Sequence, residues 1–422
     1  MGNSGEAIPL AIDGGEPVRA KPWPSRGLFG EAEKKVVVEI FDRCIEAGSS
    51  IGYNGENEQA YCLAFAEFHG GGFADAVNSG TSALYVALQA LELEPFNEVI
   101  VPPVTDPGGV MPVPLLNLIP IPADAEPGSF NVGPEQIRER LTERTAAIIV
   151  AHIAGIPADM VPILAMARDA GVPVIEDCSQ AHGARCGGRR VGTYGDIAIF
   201  STMSGKHHAT GAQGGVVFTN DEALYWRCRR ASDRGKPFGL PGGSTNDRAA
   251  LNLNLNDLSA AIGRVQLEKL PRTTESRHRN ALALAEGCRR LQTVDILLGP
   301  PQAESVFWFI LVRLDLDKVS VPMRQFTDAL GAEGIPTGAH YRYLSNTDDW
   351  FVNKKVFGTS GYPWRCPLYR GDPDRTYDLP NAEAVTRNHF VFKFHENCGP
   401  QEVADALAAL AKVEAAYQSG GT

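Results

Sequence analysis

Long apolar segments are absent from this sequence of 422 residues, and none approaches the roughly 20 residues that cross a bilayer. The first twenty residues mix glycine, proline and charged side chains, without the apolar region of a secretory signal peptide. Basic residues are also few: Lys+Arg is 39 against 50 for Asp+Glu, so the formal net charge is −11, and no basic blocks occur. The composition therefore gives no support to nucleic-acid binding, and a cytoplasmic location is the default expectation.

Paired cysteines are a second absence. The eight cysteines are scattered along the chain, and none forms a Cys-x-x-Cys pair. A zinc site or a disulfide framework is therefore not expected, and the cysteines are interpreted as reduced thiols that serve as small core residues. We predict no metal site from this pattern.

The chain is long enough for two packed domains, and no repeat or low-complexity tract divides it. Residues 1–30 are rich in proline and glycine and predict an extended N-terminal arm. Residues 31–271 are predicted to form a large domain that opens with a helix over 31–46, whose start stays open because Gly30 is a weak N-cap. Residues 272–422 are predicted to form a smaller C-terminal α+β domain.

Short apolar runs alternate with helical segments in the large domain. Buried strands that alternate with helices indicate a wound, mostly parallel sheet of the α/β class. The predicted strands cover residues 73–78, 98–102, 147–152, 172–176, 196–201 and 214–219. Helices are predicted over 82–91 and 159–170, and Gly171 ends the second of them.

The C-terminal part no longer shows the regular alternation of strands and helices. A helical run passes through 258–266 and resumes after Pro271, and a strand is predicted over 306–314. A helix opens at Pro322, and an alanine-rich helix covers 400–417. The stretch 346–380 has no periodicity, which is typical of a lid or an interface loop.

Lys206 and Asp177 form the most informative pair of residues. Each comes at or just past the end of a predicted strand, and Lys206 lies 29 positions after Asp177. Ligands of wound sheets gather at strand carboxyl ends. Pyridoxal phosphate requires a lysine for a Schiff base and an aspartate that keeps the pyridine nitrogen protonated. A lone lysine is usually a surface residue, and His207 and His208 beside it invite a metal interpretation, but adjacent side chains of an extended segment point apart.

A second signal lies between the first strand and its helix. Gly80 and Thr81 stand at a helix start, where unpaired backbone N–H groups bind anions such as phosphate. Ser79 or Thr81 could equally serve only as a helix cap. Gln180 and His182 follow Asp177 and, taken alone, read as polar core or surface residues.

Together these motifs resemble the sugar aminotransferase family named after the DegT, DnrJ, EryC1 and StrS proteins. The resemblance covers nearly the whole chain. Its motifs are GGEPVR at 14–19, KPWP at 21–24, NSGTSAL at 78–84, GIPADM at 155–160 and EDCSQAHGA at 176–184. The opening motif is similar to that of members acting on cyclitol ketones and of aminohydroxybenzoate synthases.

The resemblance implies the fold-type-I architecture of enzymes that use pyridoxal 5'-phosphate. It implies that Lys206 forms the Schiff base and moves the proton during transamination. Asp177 would pair with the ring nitrogen, and Gln180 would lie against the ring face or its phenolic oxygen.

The resemblance also implies how the phosphate is held. Gly80, Thr81 and Ser201 would bind it from one subunit, and Asn252 would reach it from the other. A homodimer with shared active sites is therefore the expected assembly.

Three positions depart from the family pattern and indicate a divergent branch. Asp106 occupies the position at which the family usually has an aromatic residue that stacks on the cofactor ring. Asp106 is therefore the cofactor-binding candidate at this position, although an acid cannot stack. Asn254 stands where an arginine is often found, and residues 211–214 read Gly-Ala-Gln-Gly in place of Gly-Glu-Gly-Gly.

The sequence thus predicts an aminotransferase that moves an amino group from glutamate or glutamine to a cyclitol ketone or a nucleotide-linked ketosugar. Amino-sugar, antibiotic or surface-polysaccharide biosynthesis would be its context. Two alternatives stay open. One is a sugar dehydratase, although such relatives carry histidine in the slot of Lys206. The other is a non-catalytic regulator of the same fold, which the substitutions at Asp106 and Asn254 favour.

Overall fold

The computed structural model of the chain describes residues 9–338, 341 and 343–419. Residues 1–8 of the predicted arm lie outside these ranges. The strands of the described residues are β1 Phe73–Val77, β2 Glu98–Val101, β3 Ile119–Pro122, β4 Thr145–Ala151, β5 Val174–Asp177, β6 Arg185–Cys186, β7 Arg189–Arg190, β8 Ile197–Ser201, β9 Gly215–Thr219, β10 Val294–Ile296, β11 Ala303–Glu304, β12 Ile310–Leu314, β13 Thr337–Gly338 and β14 His389–Phe392.

The α-helices of the same ranges are α1 Glu31–Glu46, α2 Glu56–His69, α3 Gly80–Ala90, α4 Pro112–Leu115, α5 Pro134–Arg138, α6 Met160–Ala170, α7 Glu222–Ser232, α8 Asp257–Cys288, α9 Met323–Ala332, α10 Asp349–Val352, α11 Pro380–Asn388 and α12 Pro400–Tyr417. Short 3-10 turns cover Ala11–Asp13, Pro107–Gly109 and Ile153–Gly155.

The large sheet has the strand order β1-β9-β8-β5-β4-β2-β3. Its neighbouring strands pair in parallel except β9, which is antiparallel to both β1 and β8. This is the wound, mostly parallel α/β sheet that the alternating pattern predicts. Because β5 and β8 are adjacent and parallel, with Asp177 opposite Ile199, their carboxyl ends open at the same edge.

Both faces of the large sheet are buried by helices. Residues such as Val99 and Ile175 point to one face and pack with α3 and α7. Their neighbours Ile100 and Val174 point to the other face and pack with α6. The strands are therefore apolar at consecutive positions, as expected for a sheet covered on both sides.

A second sheet of order β10-β12-β14-β13 is antiparallel throughout. Its core joins residues of α9, α11 and α12 with the C-terminal half of α8. The predicted lid or interface stretch, 346–380, instead packs its buried aromatic residues Phe351, Trp364, Tyr369 and Tyr377 against the large sheet.

Several elements, such as α2 and α7, were not predicted, and three further differences from the sequence predictions have a local physical reason. The helix α8 continues without a break through Pro271, because apolar residues of the helix are buried both before the proline, at Leu267 and Leu270, and after it, at Ala281 and Leu284. The strand predicted over 306–314 begins only at Ile310, since Phe307 has a left-handed φ of 47°. β3 was not predicted, because its two prolines are atypical of an internal strand and fit only the sheet edge it occupies.

Two expectations about composition can be compared with the structure. All eight cysteines are free, and five of them are buried. Within the described ranges, no helix is both long and apolar enough to cross a membrane.

A buried carboxylate fixes the segment near the N-terminus to α9 and α12. Glu333, fully buried at the end of α9, accepts the N–H groups of Ala11 and Val18 at 2.8 and 2.9 Å. Lys412 of α12 pairs with the same carboxylate at 2.9 Å. Burial opposes ionisation of this group, but the hydrogen bonds and the ammonium hold the pKa of Glu333 below its ordinary value.

Glu333→Gln is expected to lower the free energy of unfolding by about 3 kcal/mol at pH 7, because it removes a fully buried carboxylate and leaves the partly buried Lys412 without its charge partner. The folded-state pKa is depressed, so the difference from wild type is full above the unfolded-state pKa and shrinks as the pH falls through the folded-state value. Urea denaturation at several pH values measures this difference in unfolding free energy between the variant and the wild type. Asp328→Asn, which removes an exposed ion pair on α9, is the control and should change stability by less than about 0.5 kcal/mol. Equal effects of the two variants would contradict the prediction.

Candidate active site

A cavity of about 300 Å³ opens at the carboxyl edge of the large sheet. Ligand sites of wound α/β sheets are found at this edge. Seven of the eight residues predicted for the site line it, namely Gly80, Thr81, Asp106, Asp177, Gln180, Ser201 and Lys206.

Lys206 lies in the loop that follows β8. The loop is closed by backbone hydrogen bonds from Lys206 N–H to the Met203 carbonyl at 2.9 Å and from Ser204 N–H to the Ala212 carbonyl at 3.0 Å. The residue is 6% exposed, and its Nζ lies 3.6 Å from the centroid of the Trp308 indole. This lysine is therefore a buried residue that faces the cavity and not a surface residue.

The surroundings of Lys206 favour a partly neutral amine. Burial lowers its pKa to about 8, while the nearby carboxylates of Asp177 and Asp106 act in the opposite direction. A lysine with this pKa carries a useful fraction of free amine near neutral pH. Proton transfer and bond formation by an amine both need that neutral form.

Asp177 and Glu176 leave the end of β5 on opposite sides. Asp177 points into the cavity and accepts the N–H of Ser179 at 3.0 Å. Burial raises its pKa, against the hydrogen bonds from Ser179 and the charge of Lys206. Side chains alternate along a strand, so Glu176 points away from the cavity.

Glu176 is bound by donors on the far side. It accepts the N–H groups of Gly192, Tyr194 and Gly195, together with a hydrogen bond from His152 Nε2 at 3.2 Å. Burial works against its ionisation, but these donors hold the pKa of Glu176 below its ordinary value.

The group His152, Glu176 and Cys178 has ligand atoms within 4.8 Å of one another, the spacing of a metal site. The lone pairs of His152 Nδ1 and of the Glu176 carboxylate are already used, however. His152 Nδ1 accepts the N–H of Ala158 at 3.0 Å, which assigns the ring proton to Nε2, and Nε2 faces Glu176. The geometry favours a hydrogen-bonded support for the strand ends.

The histidines after Lys206 point to different elements. His207 Nε2 lies 3.2 Å from the Val306 carbonyl, whereas His208 Nε2 lies 3.0 Å from the Tyr61 hydroxyl. Both rings are buried, so they support the loop from behind and do not converge on one ligand.

The helix α3 begins at Gly80 and aims its N-terminus at the cavity. Ser79 caps it by accepting the N–H of Ser82 at 3.0 Å, so the capping interpretation holds for Ser79. The first N–H groups of a helix have no partner within the helix, which leaves them available to an anion. A Cβ on Gly80 would lie 2.6 Å from Cβ of Ser201, so only glycine allows this approach to the end of β8.

Asp106 lies at the rim of the cavity. Its carboxylate accepts the N–H of Gly108 at 2.9 Å and starts the turn Pro107–Gly109. A Cβ on Gly109 would lie 3.2 Å from Asp177 Oδ2, so this turn packs directly beside the buried carboxylate.

The sequence model of the DegT/DnrJ/EryC1/StrS aminotransferase family matches residues 34–411. The chain belongs to this family. It is 32% identical to the L-glutamine:2-deoxy-scyllo-inosose aminotransferase of Micromonospora echinospora, over 77% of the chain and 79% of that protein. It is 30% identical to the 3-amino-5-hydroxybenzoate synthase of Amycolatopsis mediterranei (strain S699), over 92% of the chain and 98% of that protein.

Solved structures agree with this assignment. An aminotransferase from Psychrobacter cryohalolentis superposes with a TM-score of 0.79 at 27% identity, covering 94% of the chain and 99% of that structure. Membership of the DegT/DnrJ/EryC1/StrS aminotransferases makes this protein an aminotransferase and implies pyridoxal phosphate as its cofactor.

The cavity fits such a cofactor. A buried amine and a buried carboxylate face it, and a helix N-terminus with adjacent hydroxyl groups offers donors to a phosphate. The glycines at positions 80 and 109 stand where any larger side chain would fill the space or collide with its walls.

Several lining residues of this family member were not predicted. Trp308 comes from the segment before β12, while His152 follows β4 and Gln213 follows the lysine loop. Tyr341, behind the lining, was not predicted either, because it belongs to no sequence motif. Its hydroxyl accepts a hydrogen bond from Gln180 Nε2 at 2.9 Å. Only Gln213, in the altered Gly-Ala-Gln-Gly stretch, was flagged by its departure from the family pattern.

Asn252 is the predicted site residue that does not line the cavity of its own chain within the described ranges. It is exposed and accepts a hydrogen bond from Asn254 Nδ2 at 2.6 Å. This position leaves its side chain accessible to solvent.

In cofactor-free protein, Lys206 is expected to react with acetic anhydride with a midpoint near pH 8, because burial lowers its pKa from 10.5. Below that pH it is an unreactive ammonium, and above it the neutral amine reacts. Asp106→Asn removes a carboxylate that favours the ammonium, so its midpoint should fall. Peptide mass spectrometry across pH measures both, with exposed Lys34 in the same digest as the reference. A midpoint near 10.5 would contradict the burial argument.

Proposed function

We propose that this aminotransferase binds pyridoxal phosphate and transfers an amino group from glutamine or glutamate to a cyclitol ketone or a ketosugar. One observation carries the proposal: the buried amine of Lys206 and the buried carboxylate of Asp177 share a single cavity beside the N-terminus of α3. Such a set of groups is costly to bury without a ligand that uses them.

Each predicted residue has a defined task toward the cofactor. Lys206 would hold it covalently, and Asp177 would keep its ring nitrogen protonated. Gly80, Thr81 and Ser201 would donate to its phosphate at the start of α3. The bound cofactor supplies the electron sink that lets one enzyme accept an amine from a donor and pass it to a ketone.

The residues of this chain control the proton and the surroundings. Lys206, once free, takes a proton from the reacting carbon of the donor and returns one to the carbon of the acceptor. Gln180 is fixed at both ends, because its Oε1 accepts the N–H of Ala154 at 2.7 Å and its Nε2 donates to Tyr341. The Trp308 indole covers the lysine amine and keeps water from that side.

The acceptor is proposed to be a polyhydroxylated ring. Polar groups of Thr105, Asp106 and Gln213 line the cavity and suit hydroxyl recognition. The relatives named above act on 2-deoxy-scyllo-inosose or make 3-amino-5-hydroxybenzoate, which favours a cyclitol or related ring over a nucleotide-linked ketosugar.

A homodimer is proposed as the working unit. Asn252 is exposed and would reach the phosphate bound by a second copy. The helix α1 also presents Val38, Phe41 and Ile45 on one exposed face, and Ile45 is 76% exposed. Apolar residues at this helical spacing are suited to an interface.

Purified protein reconstituted with pyridoxal phosphate is expected to show a visible absorbance band that borohydride fixes onto Lys206. Lys206→Ala should lose the fixed adduct, and Asp177→Ala should lower kcat by at least about 100-fold, because it leaves the ring nitrogen without its charge partner. Absorbance spectra and peptide mass spectrometry measure the adduct. Incubation with amide-labelled and amine-labelled glutamine, an inosose and a nucleotide-linked ketosugar identifies donor and acceptor by the mass of the aminated product.

The matched control is Lys34→Ala, which removes an exposed lysine from α1 and should leave spectrum and turnover unchanged. Absence of a borohydride-fixed adduct on wild type would refute the proposal. A sugar product that loses oxygen and gains no amine would favour the dehydratase alternative. A bound cofactor with no turnover of any donor would favour the regulator alternative.

Shared active sites predict complementation between two inactive variants. Asn252→Asp places an acid against the phosphate of the other subunit and should weaken cofactor binding there. Co-assembled with Lys206→Ala, it should form mixed dimers in which one of two sites has both native residues. Random assembly then restores about one quarter of wild-type activity, since half of the dimers are mixed.

Activity of the co-expressed protein, assayed without separating the dimers, measures this effect, and separately purified homodimers mixed at the assay provide the baseline. Recovery no greater than the sum of the two homodimers would argue that Asn252 serves no neighbouring site.

A further inference from the structure

The N-terminal arm reaches the loop that carries Lys206. The Arg26 guanidinium donates to three consecutive backbone carbonyls, those of Ser204 at 3.4 Å, Gly205 at 3.1 Å and Lys206 at 2.5 Å. The carbonyl of Gly205 also accepts the Trp308 indole N–H at 2.8 Å. The backbone of residues 204–206 is thus held by the side chains of Arg26 and Trp308, which come from distant parts of the chain.

Glu396, in the loop after β14, fixes the guanidinium. Its Oε1 accepts from Arg26 Nε at 2.9 Å, and its Oε2 pairs with Arg277 of α8 at 2.7 Å. The Arg277 side chain is 3% exposed and donates to the carbonyls of Phe307 at 3.1 Å and Trp308 at 2.8 Å. The Glu396 carboxylate therefore links Arg26 directly, and Trp308 through Arg277, and these are the two residues that hold the lysine loop.

The backbone of the arm is also bound by the loop that follows β14. His395 Nε2 lies 2.9 Å from the Pro24 carbonyl, and the side chain of Asn397 donates to the carbonyls of Ser25 and Arg26. These contacts place the guanidinium by fixing the backbone of Arg26 and not only its side chain.

We propose that Arg26 is a positioning residue for Lys206, acting through the carbonyls of residues 204–206. This inference rests on the proposed function, because it assigns Arg26 to the step in which Lys206 moves a proton. A planar guanidinium presents several donors at fixed angles and can hold adjacent carbonyls at once, whereas an ammonium concentrates its charge at one point. The amine is thereby held at a fixed place relative to the reacting carbon, which lowers the entropy lost during proton transfer.

Hydrogen exchange of cofactor-free protein tests the contact directly. Arg26→Ala is expected to speed amide exchange of residues 204–206 by about tenfold or more, the factor that loss of a charge-assisted hydrogen bond corresponds to. Exchange in β4 and β5 should not change. Lys21→Ala removes one exposed positive charge from the same arm without touching the lysine loop and should leave residues 204–206 at the wild-type rate.

The reconstituted enzyme supplies a second readout. Arg26→Ala should lower kcat by about tenfold and leave KM for the amino donor unchanged, because the variant misplaces the proton carrier and not the substrate. Lys21→Ala should match wild type in both constants. Arg26→Lys keeps the charge and the long stem, so it carries the test if Arg26→Ala does not fold, and it should still speed exchange of the loop.

The two proposals fail in different ways. Wild-type exchange of residues 204–206 in both Arg26 variants would overturn the positioning role, whatever the enzyme does. Equal acceleration in Lys21→Ala would also overturn it, because the cause would then be general loosening of the arm. A wild-type enzyme without transamination would reject the proposed function, while the exchange data would still decide whether Arg26 holds the loop.

Discussion

A buried amine and a buried carboxylate face one cavity, and each makes the burial of the other tolerable. Burial alone would push Lys206 toward neutrality and raise the pKa of Asp177, and the attraction between their charges opposes both shifts. The remaining features of the site serve this pair. The parallel neighbours β5 and β8 open at one edge of the sheet and bring the two side chains there. Strand alternation sends Glu176 to the opposite side, where backbone donors and His152 hold its charge.

The lysine is placed by its loop, and the loop is placed by the rest of the molecule. Hydrogen bonds within residues 203–212 close it, His207 and His208 pack behind it, and Arg26 holds its carbonyls from the arm. The indole of Trp308 binds the same loop and covers the amine. Three parts of the chain that are far apart in sequence thus meet at one side chain, and Glu396 links two of them.

Sequence reasoning reached the lysine, the aspartate and the helix start because each follows from a local rule. Strand ends of a parallel sheet share an edge, and helix starts leave N–H groups free, so Asp177, Lys206 and Gly80 could be grouped before any coordinates were known. Trp308 and Tyr341 were not predicted to belong to the site, because an aromatic residue in an apolar or irregular segment is more often part of a core. The break predicted at Pro271 failed for a related reason: packing of Leu267 and Leu270 outweighs the lost hydrogen bond.

The amino-acid sequence alone determined the alternation of strands and helices, the bounds of α12, and the family to which the chain belongs. These depend on periodicity, caps and motif order, which are properties of neighbouring residues. Only the tertiary structure decided that Lys206 is buried, that its pKa lies near 8 and that Arg26 and Trp308 hold its loop. Burial and long-range contact depend on which segments meet in space, and no local pattern encodes a meeting between residues 26, 206, 308 and 396.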